Sequence, residues 1–115
     1  MCGSKGNCCP DRVVFQEKIC GNLTGSLGSA EVPFIAWQGP AVNDYFQGTF
    51  EIFNAGPGII NANVLDINGG SSPINVPSGN SVAVSVNNPA ALRIVSVPAG
   101  THGKFCITLY KAIFA

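Results

Sequence analysis

The sequence predicts an all-β protein: a single jelly-roll β-sandwich of about eight antiparallel strands behind a flexible N-terminal connector arm. Three observations carry that expectation. No segment repeats apolar residues at i, i+3, i+4 and i+7, so amphipathic helices have no basis in the pattern. Apolar and polar residues alternate with period two over several short stretches. Between those stretches stand clusters rich in the 14 Gly and 8 Pro, at spacing even enough for a two-sheet sandwich, for which the jelly roll is the natural eight-stranded solution.

Strands are expected near 12–24, 31–38, 45–54, 59–67, 73–76, 81–87, 91–97 and 104–113. In the first, alternation turns Val13, Phe15 and Ile19 toward the core and Gln16, Lys18, Cys20, Asn22 and Thr24 outward. The second, 31–38, follows from the same rule. In 45–54, Phe46, Phe50 and Ile52 share a face with Gly48, while Tyr45, Gln47, Thr49, Glu51 and Phe53 lie on the other. The turn sequences Asn-Ala-Gly-Pro-Gly (54–58), Asn-Gly-Gly-Ser-Ser (68–72) and Pro-Ser-Gly-Asn (77–80) delimit the strands at 59–67 and 73–76. At 81–87, Val82, Val84 and Val86 face one way and Ser81, Ser85 and Asn87 the other. A strand at 91–97 leads to the turn Pro-Ala-Gly-Thr-His-Gly (98–103). In the last strand Phe105, Ile107 and Leu109 face inward, so Cys106, Thr108 and Tyr110 face outward. Residues 1–11 offer no alternating apolar face. Core burial cannot offset their ordering entropy, so they are expected to form a flexible arm ahead of a sandwich domain at 12–115.

Composition narrows the function. Six Lys+Arg and six Asp+Glu make 10% charged residues, against about 25% in an ordinary soluble domain. With a net charge of zero and no basic cluster, there is nothing to neutralise phosphates or anionic lipid, so neither nucleic acid nor a membrane surface is an expected partner. Mean hydropathy is +0.30, yet every apolar run is broken well short of the ~20 residues a membrane span needs. Such a charge-poor exterior does little to resist self-association. The first ten residues, MCGSKGNCCP, lack the basic start and apolar stretch of a secretion signal, so synthesis without a signal peptide is expected.

No catalytic constellation is legible, and the chain is expected to be neither an enzyme nor a cofactor binder. His102 is the single histidine and falls in a turn sequence. Asp11, Glu17, Glu31, Asp44, Glu51 and Asp66 are scattered without the spacing of a paired-carboxylate site or a calcium loop. Trp37, Tyr45 and Tyr110 could form a stacking platform, which defines the alternative reading of a monomeric carbohydrate- or receptor-binding module.

The five cysteines say more. Cys20 and Cys106 both fall on the polar side of their strands, whereas free structural cysteines are usually buried. Cys8 and Cys9 are adjacent, and a bridge between neighbours strains both the peptide and the disulfide, so their partners lie elsewhere. Each chain thus carries one pair of thiols on an arm and another on the outside of its strands. Bonding within one chain would tie the arm down; bonding between chains would make a polymer. Zinc is a rival use of the four, weakened because Cys-Cys-x10-Cys lacks the CxxC knuckle of tetrahedral sites. Cys2 stands outside this set.

Cys-Cys-Pro-Asp-Arg at 8–12, Cys20 on the first strand, a Gly/Asn/Ser-rich sandwich and Cys106 on the last strand together resemble the endospore appendage (Ena) pilins of the Bacillus cereus group. The resemblance spans essentially the whole chain and implies jelly-roll subunits whose sheets extend edge to edge onto neighbours. It also implies intermolecular disulfides, with Cys8 and Cys9 as connector thiols and Cys20 and Cys106 as acceptors on other subunits. Its further implications are a fibre of identical copies on the endospore surface, subunits made in the mother cell, and an anchoring protein at the spore. The arm departs from the family pattern in having only Met1 and Cys2, not a branched apolar residue or Phe, upstream of the double cysteine. Staggered helical and stacked-ring filaments therefore both stay open, with a short polar arm suiting the bridge between rings; eight residues reach at most roughly 28 Å.

Overall fold

A computed structural model describes residues 12–26, 34–39 and 45–114; the arm, with Cys2, Cys8 and Cys9, lies outside the described residues. Within them the chain forms eight strands: β1 (Arg12–Thr24), β2 (Phe34–Gln38), β3 (Gln47–Gly56), β4 (Ile60–Asp66), β5 (Ser71–Val76), β6 (Ser81–Asn87), β7 (Pro89–Ser96) and β8 (His102–Phe114). They make two four-stranded sheets, ordered β1-β8-β3-β6 and β2-β7-β4-β5, in which every pairing is antiparallel. The all-β expectation holds, and seven of the strand positions fall within a few residues of those read from alternation. The eighth, β2, matches at 34–38, its predicted beginning at 31–33 lying outside the described residues.

Alternation explains the core. Phe50 and Ile52 of β3, Ile107 and Leu109 of β8, Ile60 and Val64 of β4, Ile74 and Val76 of β5, and Leu92 and Ile94 of β7 are all fully buried between the sheets. Each such side chain contributes roughly 1.5–3 kcal/mol by leaving water. The intervening residues, such as Glu51, Phe53, Ser81, Ala83 and Ser85, face out. Val86 is buried and Val82 and Val84 are half-buried against the core, as their shared face requires.

Two expectations need correction. Phe15 and Ile19 do lie on the face of β1 that carries buried Leu23, but they remain 47% and 37% exposed. β1 is a 13-residue strand at the edge of its sheet, where one flank has no neighbouring strand among the described residues. Tyr45, assigned outward by strict alternation, precedes β3 and packs against the core. Its ring meets Trp37 edge-on at 6.1 Å between centroids, and its hydroxyl donates to a Glu17 carboxylate oxygen at 2.7 Å.

One buried polar residue joins the turns at one end of the sandwich. Asn54 is fully buried; its Nδ2 donates to the carbonyls of Gly58 (2.6 Å) and Val76 (2.8 Å), and its Oδ1 accepts from the Gly56 amide (2.7 Å). A left-handed φ of 95° at Gly56 lets the chain turn around this amide, a conformation that disfavours any side chain. Thr101, also buried, accepts the Gly58 amide on its hydroxyl at 2.9 Å. Asn54→Ala would leave two buried backbone groups, the Val76 carbonyl and the Gly56 amide, without a partner at about 1–3 kcal/mol each, and would also remove the partner of the half-buried Gly58 carbonyl. The expected loss is about 3 kcal/mol or more, read as a lower midpoint in urea unfolding at unchanged slope.

Candidate crosslinking site

β1 and β8 pair without interruption from Arg12↔Phe114 to Thr24↔His102, and this register sets Cys20 directly opposite Cys106. Their α-carbons are 4.1 Å apart and the two sulfurs are bonded. Cys20 is exposed and Cys106 half-buried, both on the outer face, as strand parity indicated. Parity alone read each thiol as reaching away from its own domain. In the single chain the two close on each other.

The inward neighbours fix this geometry. Ile19 faces buried Ile107, and Gly21 faces Phe105, which is 8% exposed. A β-carbon at Gly21 would lie 2.6 Å from the Phe105 ring. Glycine therefore allows the ring to lie across the inner face of β1, on the side of the sheet opposite the disulfide, and stay in the core. Gly21→Ala would drive the ring out of its packed position at a cost of about 2 kcal/mol, which a thermal melt of the oxidised protein would register as a lower Tm.

On the outer face the disulfide sits at the floor of a shallow open depression lined by Cys20, Gly21, Asn22, Lys104 and Cys106. Lys18 and Lys104 lie two residues before each cysteine, on the same face by parity. On the far side of Cys106 the register partner from β3 is Glu51, also outward and exposed. Among the described residues no strand pairs with β1 on the far side of Cys20, which leaves β1 at the edge of its sheet.

The other candidates disperse. His102 opens β8, not a turn, and lies opposite Thr24 on the exposed face. Glu17 engages Tyr45, whereas the Asp66 carboxylate accepts the Asn68 and Gly70 amides in the β4–β5 turn; Asp11, Glu31 and Asp44 lie outside the described residues. Among the described residues, no three His, Cys, Asp or Glu come together as a metal site. Trp37 and Tyr45 are tied into the core, Trp37 also meeting Phe50 at 5.9 Å, while Tyr110 pairs with Phe46 at 6.4 Å. The three do not form one open stacking platform. The feature that strand parity could not supply is the in-chain Cys20–Cys106 bond; its signal lay in the topology that makes the first and last strands neighbours.

An outward disulfide on a charge-poor sandwich, next to a sequence carrying a further double cysteine, narrows the comparisons that matter. The family model for endospore appendages matches residues 6–113. The chain belongs to the endospore appendage family. Among solved structures, this endospore appendage chain is similar to one described as "Bacillus endospore appendages form a novel family of disulfide-linked pili", with a TM-score of 0.71 and 20% identity over 98% of this chain and 96% of that one. At that identity the likeness establishes the shared fold. A second similar structure, Pseudomonas aeruginosa AlgX, reaches a TM-score of 0.47 at 11% identity over 91% of this chain and 27% of that one. No curated protein sequence matches the appendage chain.

Proposed function

We propose that this endospore appendage protein is a structural, non-enzymatic pilin subunit that polymerises into disulfide-crosslinked fibres on the spore surface. The observation that carries the proposal is the family match spanning both the double cysteine at 8–9 and the sandwich with its outward Cys20–Cys106 pair. In this reading residues 1–11 are the connector and 12–115 the pilin domain. Cys8 and Cys9 of one copy bond to Cys20 and Cys106 of others, and an anchoring protein holds the fibre base. The jelly-roll reading is supported by the strand order, in which the chain crosses from sheet to sheet after every strand except β4.

Sheet augmentation supplies the reversible half of the assembly. β1 and β2 end their sheets on one flank of the sandwich, where they leave Val14, Phe15, Ile19, Phe34 and Ile35 exposed. An apolar edge of this kind invites another strand, and pairing with a second copy satisfies its main-chain groups while covering those side chains. The low surface charge has the same rationale: an interface that covers charges must offset their desolvation.

Purified protein under oxidising conditions is expected to form regular fibres in electron micrographs. On gels the fibres should stay at the top of the lane after boiling in detergent and collapse to monomer on reduction. Soluble monomer alone, with or without reductant, would contradict the proposal.

A further inference from the structure

We infer that the Cys20–Cys106 bond is itself the acceptor for crosslinking: an incoming thiol joins Cys20 by thiol–disulfide exchange and Cys106 is expelled as the leaving thiol. The inference rests on the crosslinked-pilin reading and adds to it the chemical route and the site of attack.

Two acceptor cysteines already bonded to each other cannot each take a new partner by simple oxidation. An incoming thiolate must first open the bond. Exchange does this with no outside oxidant. A thiolate from Cys8 or Cys9 of a second copy attacks a sulfur of the pair, and a new S–S bond forms as the in-chain one breaks. The electron pair of the broken bond leaves on the other sulfur, which takes up the proton lost by the attacking thiol. One disulfide and one thiol enter; one disulfide and one thiol emerge. Bonding that emerging thiol to the second connector cysteine is a separate oxidation, which consumes a two-electron oxidant such as dioxygen or a small disulfide.

The position of the bond in the sheet chooses the sulfur. Attack runs in line with the S–S axis, from the side opposite the leaving sulfur. For Cys20 that approach comes from beyond β1, the last strand of its sheet among the described residues, where Cys20 is exposed. For Cys106, half-buried on an interior strand, it comes over β3, where the register partner is the acidic Glu51. A carboxylate there repels an approaching thiolate, whereas Lys18 and Lys104 flank the pair with charge that attracts it. The open depression lined by Cys20, Gly21, Asn22, Lys104 and Cys106 leaves room for the arm to lie against the bond without itself choosing between the two sulfurs.

The test uses two full-length variants. The donor is Cys20→Ser/Cys106→Ser, with reduced arm thiols; the acceptor is Cys2→Ser/Cys8→Ser/Cys9→Ser, with its in-chain bond formed. They are mixed anaerobically without oxidant, alkylated and mapped by mass spectrometry. The expected result is a covalent heterodimer linking Cys8 or Cys9 to Cys20, with one newly alkylated Cys106 per link. Adding Glu51→Lys to the acceptor should raise the Cys106-linked share by roughly threefold, the scale of one exposed charge contact. Links predominantly to Cys106, with Cys20 released, would overturn the assigned site. Absence of anaerobic links, with links appearing once a reduced acceptor meets an added oxidant, would overturn exchange and leave the crosslinked pilin standing. Absence of links under both conditions would overturn both.

Discussion

Replacing Cys8 and Cys9 together with Ser is expected to leave a folded sandwich that still associates through its edges but yields fibres that fall apart into single subunits in boiling detergent. The sandwich core is drawn from the strands between β1 and β8, and Cys8 and Cys9 precede β1 in the chain, so the substitution is expected to leave Phe50, Ile107 and their neighbours as they are. What it removes is the covalent part of the assembly. Edge pairing is reversible, and its resistance to heat is set by how fast each subunit can unfold or leave. A disulfide in series with every contact makes departure from the fibre require bond cleavage. Circular dichroism unchanged from wild type, together with complete loss of the detergent-resistant band, is the expected pair of readouts. Fibres of the double variant as robust as wild type would show that the arm thiols carry no crosslink.

The second large effect concerns the single subunit. Cys20 and Cys106 are 86 residues apart in sequence, so their bond closes nearly the whole described sandwich into a loop. A loop of that length removes enough freedom from the unfolded chain to stabilise the fold by about 4 kcal/mol. For a domain of this size that corresponds to a fall of about 15 °C in Tm when the bond is removed. Cys20→Ser/Cys106→Ser, measured on an assembly-blocked background lacking the arm cysteines, should show it by calorimetry. A change of only a degree or two would mean that the bond constrains little in the unfolded state. The same number bears on exchange: a subunit whose in-chain bond has been opened loses that stabilisation, and edge pairing with its neighbours must hold it folded meanwhile.

Much of the fold was legible because burial on one face leaves a period-two signature. The strand 81–87 is the clearest case, with Val82, Val84 and Val86 on one side and Ser81, Ser85 and Asn87 on the other. Alternation failed where a residue's surroundings depend on a strand far away in sequence. Phe15 and Ile19 carry the right parity, but their exposure goes with the place of β1 at the edge of its sheet, which no local pattern states. Tyr45 escaped because it sits just before β3, where the backbone no longer alternates and the ring can turn onto Trp37. The glycine neighbours of His102 point to a turn, whereas the extended pairing with β1 holds the residue in β8. The cysteines divide the same way. Their outward faces were local information, whereas the meeting of Cys20 with Cys106 depends on a register between the two ends of the chain.

The assembly is tested most directly by mixing isotopically heavy and light subunits in reduced, unassembled form, letting fibres grow together, and mapping disulfide-linked peptides without reduction. Peptides carrying Cys8 and Cys9 are expected to be bonded to peptides carrying Cys20 or Cys106 in mixed heavy–light pairs. Bonds found only in heavy–heavy and light–light pairs would place every disulfide within one chain and contradict the crosslinked fibre.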